Sequence, residues 1–195
     1  MFIELADHLR CPEDHEESYL VLLPDRVEDR WVRAGQLGCP VCGRVYALDD
    51  GVLDVGGGWD TRADHPGPGA DALTALVGLN GPGGYLVVVG APGRAWSELA
   101  ERHPGVGLVL VNPPPGVRDE PGVSVLRGGR LPLKSRTMRG VILGGGYGDD
   151  AGWVAEAARV VLPGLRVVGQ GAVPAADRIE LMASAGGTWV GTPRR

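Results

Sequence analysis

The chain has 195 residues, 24 acidic against 19 basic side chains, and a formal net charge of −5. With 44% hydrophobic and 22% charged residues it reads as a globular chain with room for one ordinary domain and a small one, which excludes a disordered polypeptide. No apolar run reaches the ~20 residues that a membrane helix needs, and Met1 to Asp7 carries acids where a secretory signal carries positive charge; a cytoplasmic protein without a membrane partner is expected.

Residues 1–10, with Phe2, Leu5 and Leu9, predict a short helical turn leading to Cys11-Pro-Glu-Asp-His15. Cys39-Pro-Val-Cys42-Gly43 follows after a gap. Together the two turns use all three cysteines of the chain, and Cys11, His15, Cys39 and Cys42 suit one tetrahedral Zn2+. Gly43 suits the bend after the second thiol, where a left-handed backbone is often required. A Cys39–Cys42 disulfide is the rival reading, but the helix pattern of redox motifs does not follow it. Between the turns, Tyr19–Leu23 and Arg30–Arg33 read as antiparallel strands joined by a polar turn from Pro24 to Asp29. Val45–Leu48 and Val52–Leu53 read as further strands about Asp49-Asp50-Gly51. So small a unit has too little core to stand alone, and a metal would contribute much of its folding free energy.

Charge is uneven. Residues 1–55 hold 12 acids against 5 arginines, and residues 56–195 hold 12 acids against 14 bases. The N-terminal part is therefore poorly suited to phosphate. Glu13, Asp14, Glu16 and Glu17 read as a solvated face or a contact for a basic partner. Arg118, Arg127, Arg130, Lys134, Arg136 and Arg139 read as a solvated, loop-rich edge in preference to an RNA-binding patch, so nucleic acid is a weakly supported partner.

Gly56-Gly57-Gly58 and His65-Pro-Gly-Pro-Gly69 hold almost no side chains that pack, which predicts a linker at 56–68 between a domain at 1–55 and one at 69–195. Beyond it the pattern alternates. Helices are expected at Asp71–Val77, Trp96–Arg102, Trp153–Leu162 and Ala175–Ala185. Strands are expected at Tyr85–Val89, Gly107–Val111, Val123–Leu126, Gly140–Leu143, Leu165–Val168 and Gly187–Val190. Such alternation predicts an α/β fold, an N-terminal antiparallel zinc ribbon followed by a doubly wound, mainly parallel Rossmann-like sheet.

Two resemblances extend this reading. Leu9-Arg-Cys-Pro12, Cys39 to Tyr46 and Asp50-Gly-Val-Leu53 resemble the small zinc-ribbon family that activates tRNA and translation-factor methyltransferases. That family usually carries a second cysteine two residues after its Cys-Pro, where this chain has His15 a little further on. The remainder resembles a class I S-adenosylmethionine-dependent methyltransferase domain. The matching text is Tyr85 to Gly93, Leu108 to Asn112, Leu131-Pro-Leu133 before Val141 to Gly144, and Glu156 to Gly164 before Arg166-Val-Val168. A fused ribbon and methyltransferase domain is similar to bacterial rRNA guanine methyltransferases.

The resemblance implies S-adenosylmethionine beside Gly90, Gly93, Asn112, Leu131 and Gly144, at the carboxyl ends of the strands. It also implies three acids, and this chain has none of them. Val88 stands two before the first glycine, Asn112 stands where an acid holds the ribose, and Arg127-Gly-Gly-Arg130 stands where an acid meets the adenine. Pro92 interrupts the glycine turn and removes a backbone donor. No catalytic residue is assigned: His65 and His103 read as surface residues, and Asp149 and Asp150 read as stabilising acids at a helix N-terminus before any substrate role for Tyr147 or Asp149. The five tryptophans read as packing or interface residues. A degenerate methyltransferase-like binding or assembly module, with a protein partner or self-association, is therefore expected ahead of an active, RNA-directed methyltransferase.

Overall fold

In the computed structural model, residues 1–56, 62, 67–173 and 177–194 are described. Most of the expected linker, with Trp59 and His65, lies outside them. After a 3-10 turn at Ile3–His8, the described chain builds β1 (Val21–Glu28), β2 (Trp31–Gly38), β3 (Val45–Asp49), β4 (Val52–Asp54), α1 (Ala70–Val77), β5 (Tyr85–Val89), α2 (Trp96–Arg102), β6 (Gly107–Val111) and β7 (Val123–Arg127). It continues with β8 (Gly140–Leu143), α3 (Ala151–Val160), β9 (Val167–Gln170), β10 (Ile179–Ala185) and β11 (Thr188–Pro193).

All these strands belong to one sheet, ordered β1-β2-β3-β4-β7-β6-β5-β8-β9-β11-β10. Pairing is parallel from β4 through β9 and antiparallel on both flanks. The result is a mixed α/β sheet of Rossmann-like order, with β6 and β7 on one side of β5 and β8 and β9 on the other. Every residue of β5 and of β8 is buried, as unbroken apolar runs in a sheet covered on both faces must be. One face packs against α3 through Trp153, Val154, Ala157 and Val160, together with Leu5 and Leu9 of the N-terminal segment. The other packs against α1 and α2 through Leu73, Val77 and Leu99. Gly78 ends α1 in the left-handed conformation (φ 62°), where a side chain is disfavoured.

Two expected elements differ. Pro24–Asp29 is not a turn: β1 continues to Glu28 and pairs with Trp31. Pro24 is tolerated because β1 is an edge strand and the register shifts just after it, so its missing N–H costs no ladder bond. The helix expected at Ala175–Ala185 is also replaced. Ile179–Ala185 forms β10, which folds back on β11 about Gly186 and Gly187, both left-handed (φ 57° and 72°). Two positive-φ residues make a tight hairpin, and that pairing overrides the helical propensity of Glu-Leu-Met-Ala.

The N-terminal and parallel parts are joined within the sheet. Val52, Leu53 and Asp54 pair with Val125, Leu126 and Arg127. Leu9 bridges to Leu133, Arg10 donates its N–H to the Pro132 carbonyl, and Lys134 donates to that of His8. The buried Met1 ammonium donates to the carbonyls of Val32 and Gly51 and to Asp119 Oδ2 at 2.8 Å. Arg33 reaches the same carboxylate oxygen at 2.7 Å. Burial pushes the ammonium down and the Asp119 carboxyl up, each opposed by its partner. Removing the carboxylate strands two cations, so Asp119→Ala should lower unfolding free energy by about 3 kcal/mol in denaturant titration; a loss within measurement error would show the cluster to be energetically idle.

Candidate functional site

The first candidate site lies where two turns meet. Cys11 donates its N–H to the Ser18 carbonyl, closing the first turn beneath the Arg10–Tyr19 bridge. In the second, Cys39 donates to the Arg44 carbonyl and Gly43 donates back to that of Cys39. Gly43 has the expected left-handed backbone (φ 71°). These turns bring one ligand atom each from Cys11, His15, Cys39 and Cys42 within 4.8 Å of one another.

Cys11 Sγ lies 3.7 Å from Cys42 Sγ, and Cys39 Sγ lies 3.5 Å from His15 Nε2. A tetrahedral ion with Zn–S bonds of about 2.3 Å and Zn–N of about 2.0 Å sets two sulfurs about 3.8 Å apart and sulfur and nitrogen about 3.5 Å apart. The donor set therefore fits a single tetrahedral metal. Cys39 and Cys42 are both free thiols, so no disulfide joins them. Burial raises the Cys39 thiol, but the N–H groups of Cys42 and Val41 outweigh it and bring it down to about 6. Burial holds the Cys11 thiol above its ordinary value. Tyr46, buried below the site, places its hydroxyl 3.3 Å from Cys11 Sγ and donates to Glu13 Oε1 at 3.3 Å. From the sequence Glu13 reads as a solvated acid and Tyr46 as a strand residue. The signal for Tyr46 was its inward position, two residues before Leu48 on β3.

The second candidate site is the glycine turn after β5. Gly90, Gly93, Asn112 and Gly144 do gather at the carboxyl ends of β5, β6 and β8, and all four are buried. What fills the space between them is protein. A Cβ added at Gly90 would lie 2.6 Å from the Tyr147 ring, and one at Gly144 would lie 2.6 Å from Pro92 Cδ. Gly93 faces Pro113 in the same manner, at 3.2 Å. Tyr147, only 1% exposed, stands edge-on to Trp153 with ring centroids 4.9 Å apart. The Arg62 guanidinium lies 4.7 Å above the Tyr147 ring, bonds the Gly146 carbonyl and pairs with Asp150 at 3.0 Å.

Asn112 is turned away from the cleft. Its Nδ2 donates to the Gly128 carbonyl at 2.9 Å and its Oδ1 accepts from the Gly128 N–H at 3.0 Å. The amide thereby extends the β6–β7 ladder by one rung, from a left-handed backbone (φ 49°) that asparagine tolerates. A carboxylate accepts but cannot donate, so aspartate would leave the Gly128 carbonyl unmet. Leu131 is apart from the other four: it is wholly buried in the core beside Leu133, and its carbonyl accepts from Arg159.

Asp150 caps α3, accepting from the N–H groups of Gly152 and Trp153, as expected of a helix N-terminal acid. His103 corrects an expectation: it is 5% exposed at the end of α2, and burial lowers its pKa. Trp153 and Trp189 pack in the core. Trp189 Nε1 donates to the Gly148 carbonyl beneath the cleft.

No protein-family model and no curated protein sequence matches the chain. Among solved structures, the geranyl diphosphate C-methyltransferase of Streptomyces coelicolor A3(2) is similar at 18% identity over 51% of this chain and 41% of that one, with a TM-score of 0.43. The antibiotic-resistance methyltransferase Kmr is 14% identical over 65% of this chain and 93% of its own, with a TM-score of 0.42. A chain of the complex between the Haloferax volcanii Trm112 methyltransferase activator and a proposed methyltransferase is 23% identical over 51% of this chain and 50% of that one, TM-score 0.40. The chain spans less than half the length of the geranyl diphosphate methyltransferases it matches. At these identities the likeness concerns fold alone.

Asn112→Asp should cost about 2 kcal/mol, because it strands the Gly128 carbonyl and buries a charge. Urea unfolding checks this; wild-type stability in the variant would mean the amide pair is not what holds this end of the ladder.

Proposed function

We propose that the chain is a methyltransferase-like protein with a closed cofactor cleft, acting as a non-catalytic binding or assembly module. In this reading residues 1–55 are a zinc ribbon, 56–68 a linker and 69–195 a doubly wound Rossmann-like domain. The observation that carries it is the Asn112–Gly128 pair. At the position where the resembled family offers an acid to the ribose, the side chain is spent on the protein's own backbone. Tyr147 and Pro92 against Gly90 and Gly144 support the same conclusion, since they occupy the approach a cofactor would take. Three absent acids, at roughly 1.5–3 kcal/mol each, amount to a loss of three orders of magnitude or more in affinity.

The residues present do not fit S-adenosylmethionine. Calorimetric titration with S-adenosylmethionine and S-adenosylhomocysteine should give no binding tighter than about 1 mM; micromolar binding would overturn the closed-cleft reading and favour the rival, an active methyltransferase acting on RNA. That rival draws its support from the gathering of Gly90, Gly93 and Gly144 at one end of the sheet.

The metal in this proposal is structural. Four protein ligands leave no open position for water or substrate, and zinc would hold the two turns together. About one zinc per chain is expected by elemental analysis. Cys39→Ser should lose it, together with amide-exchange protection in β1 to β3; a metal-free protein with full protection would refute the assignment.

For the partner, support comes from the outer face of the N-terminal sheet. Val21 and Val45 flank Gly38 in one row, and Leu23 lies in the next. Val21, Leu23, Val45, Tyr19 and Val41 are all exposed apolar side chains, beside an unpaired edge strand and in an acidic segment. A cytoplasmic protein partner with an apolar strip and basic flanks fits that face.

A further inference from the structure

At the amino ends of the parallel strands, opposite the glycine turn, lies a cavity of about 750 Å³ lined by Arg136, Arg159, Arg178 and Arg194 with Ser135 and apolar neighbours including Ala158 and Val161. We infer that this cavity is a binding site for a chain of phosphate groups. The inference is independent of the closed cleft, since no residue of that cleft lines it.

The charge is not internally neutralised. Arg159 is engaged: it is bidentate to Glu156, lies 3.7 Å from Glu17, and donates to the Leu131 and Leu133 carbonyls. Arg194 uses its Nε on the Ile179 carbonyl. Among the described residues no carboxylate lies within 4.0 Å of the guanidiniums of Arg136, Arg178 or Arg194. Glu180 lines the neighbouring hollow with Arg194. Three like charges gathered in a concavity repel one another and focus an anion-attracting field. The planar guanidinium fork matches phosphate oxygens, and the volume admits more than one phosphate group.

Backbone geometry supports a dedicated placement. Arg136 has φ 56°, a conformation that strains any residue bearing a Cβ other than asparagine or aspartate. It is held there by its N–H to the Arg159 carbonyl, by Thr137 Oγ1 to the Lys134 carbonyl, and by the N–H groups of Thr137 and Met138 to the Val160 carbonyl. A turn kept only for its shape would be better served by glycine. Arginine at that position, in the loop before β8, places a cation in the lining of the cavity.

The test uses the full chain with two probes, inorganic tripolyphosphate and a short single-stranded oligouridylate, titrated at low and at moderate salt. Wild type should bind, with RNA affinity falling on a log–log salt slope of about −2 to −3 for three to four phosphate contacts. Binding of both probes, or of tripolyphosphate alone, identifies a small polyphosphate as sufficient; binding of RNA alone identifies a polynucleotide backbone. Arg136→Gly combined with Arg178→Gln should weaken binding at least tenfold while the melting temperature holds or rises, because glycine relieves the strained backbone. The control Arg26→Gln with Arg118→Gln makes the same change of net charge away from the cavity and should stay within about twofold of wild type. No binding by wild type, unchanged binding by the cavity variant, or an equal loss in the control would each overturn the site.

Discussion

The three residues of β4 set the architecture. Val52 and Leu53 pair antiparallel with β3 on one side, Val52, Leu53 and Asp54 pair parallel with β7 on the other, and this short strand carries an antiparallel sheet into a parallel one. Leu53 is wholly buried in the core that contains Leu37 and Leu48 from one part and Leu126, Leu131 and Leu133 from the other. A unit of about fifty residues buries a small share of its surface and is marginal by itself. Sharing a core with a larger sheet removes that constraint. It also covers β7, which would otherwise be an edge with unpaired N–H and C=O groups, and moves the open edges out to β1 and β10.

Much of this was legible from local pattern. Unbroken apolar runs at 85–89 and 107–111 can only be strands covered on both faces, and the Cys/His spacing placed four donors whose convergence the structure reproduces. The seam was not legible, because Val52-Leu53 is too short to carry a partner preference and reads only as the end of a hairpin. The strand at 179–185 was missed because its residues are good helix formers; the signal that outweighed them was Gly186-Gly187, a two-residue hairpin turn lying at the end of the segment. Pro24 misled in the opposite direction, since a proline marks a turn except on an edge strand, and edge position depends on the whole sheet.

The glycine turn illustrates how the backbone a side chain meets sets its role. Asn112 occupies a site where one oxygen more and one nitrogen less would leave a carboxylate facing a carbonyl. The amide suits the ladder, a fit that the sequence by itself does not display. Its structural cause, a donor required by Gly128, appears only once β6 and β7 are paired. The same holds for Tyr147, whose phrase Gly144 to Gly148 reads as a flexible ligand loop until the ring is seen packed on Gly90 and Trp153.

Two further surfaces lie away from the glycine turn. The N-terminal sheet presents apolar side chains in an acidic segment, and the amino ends of the parallel strands present uncompensated guanidiniums. These two surfaces have opposite electrostatic preferences, so an anion is turned away from the first and drawn to the second. Glu17 stands between them: it bonds Ser135 Oγ at 2.6 Å and lies 3.7 Å from Arg159, so the first metal turn carries a carboxylate that locates one wall of the arginine cavity. Disturbing the turn at Cys11–Ser18 would release Glu17 from Ser135 and loosen that wall, which lies on the same face of the sheet as the N-terminal segment.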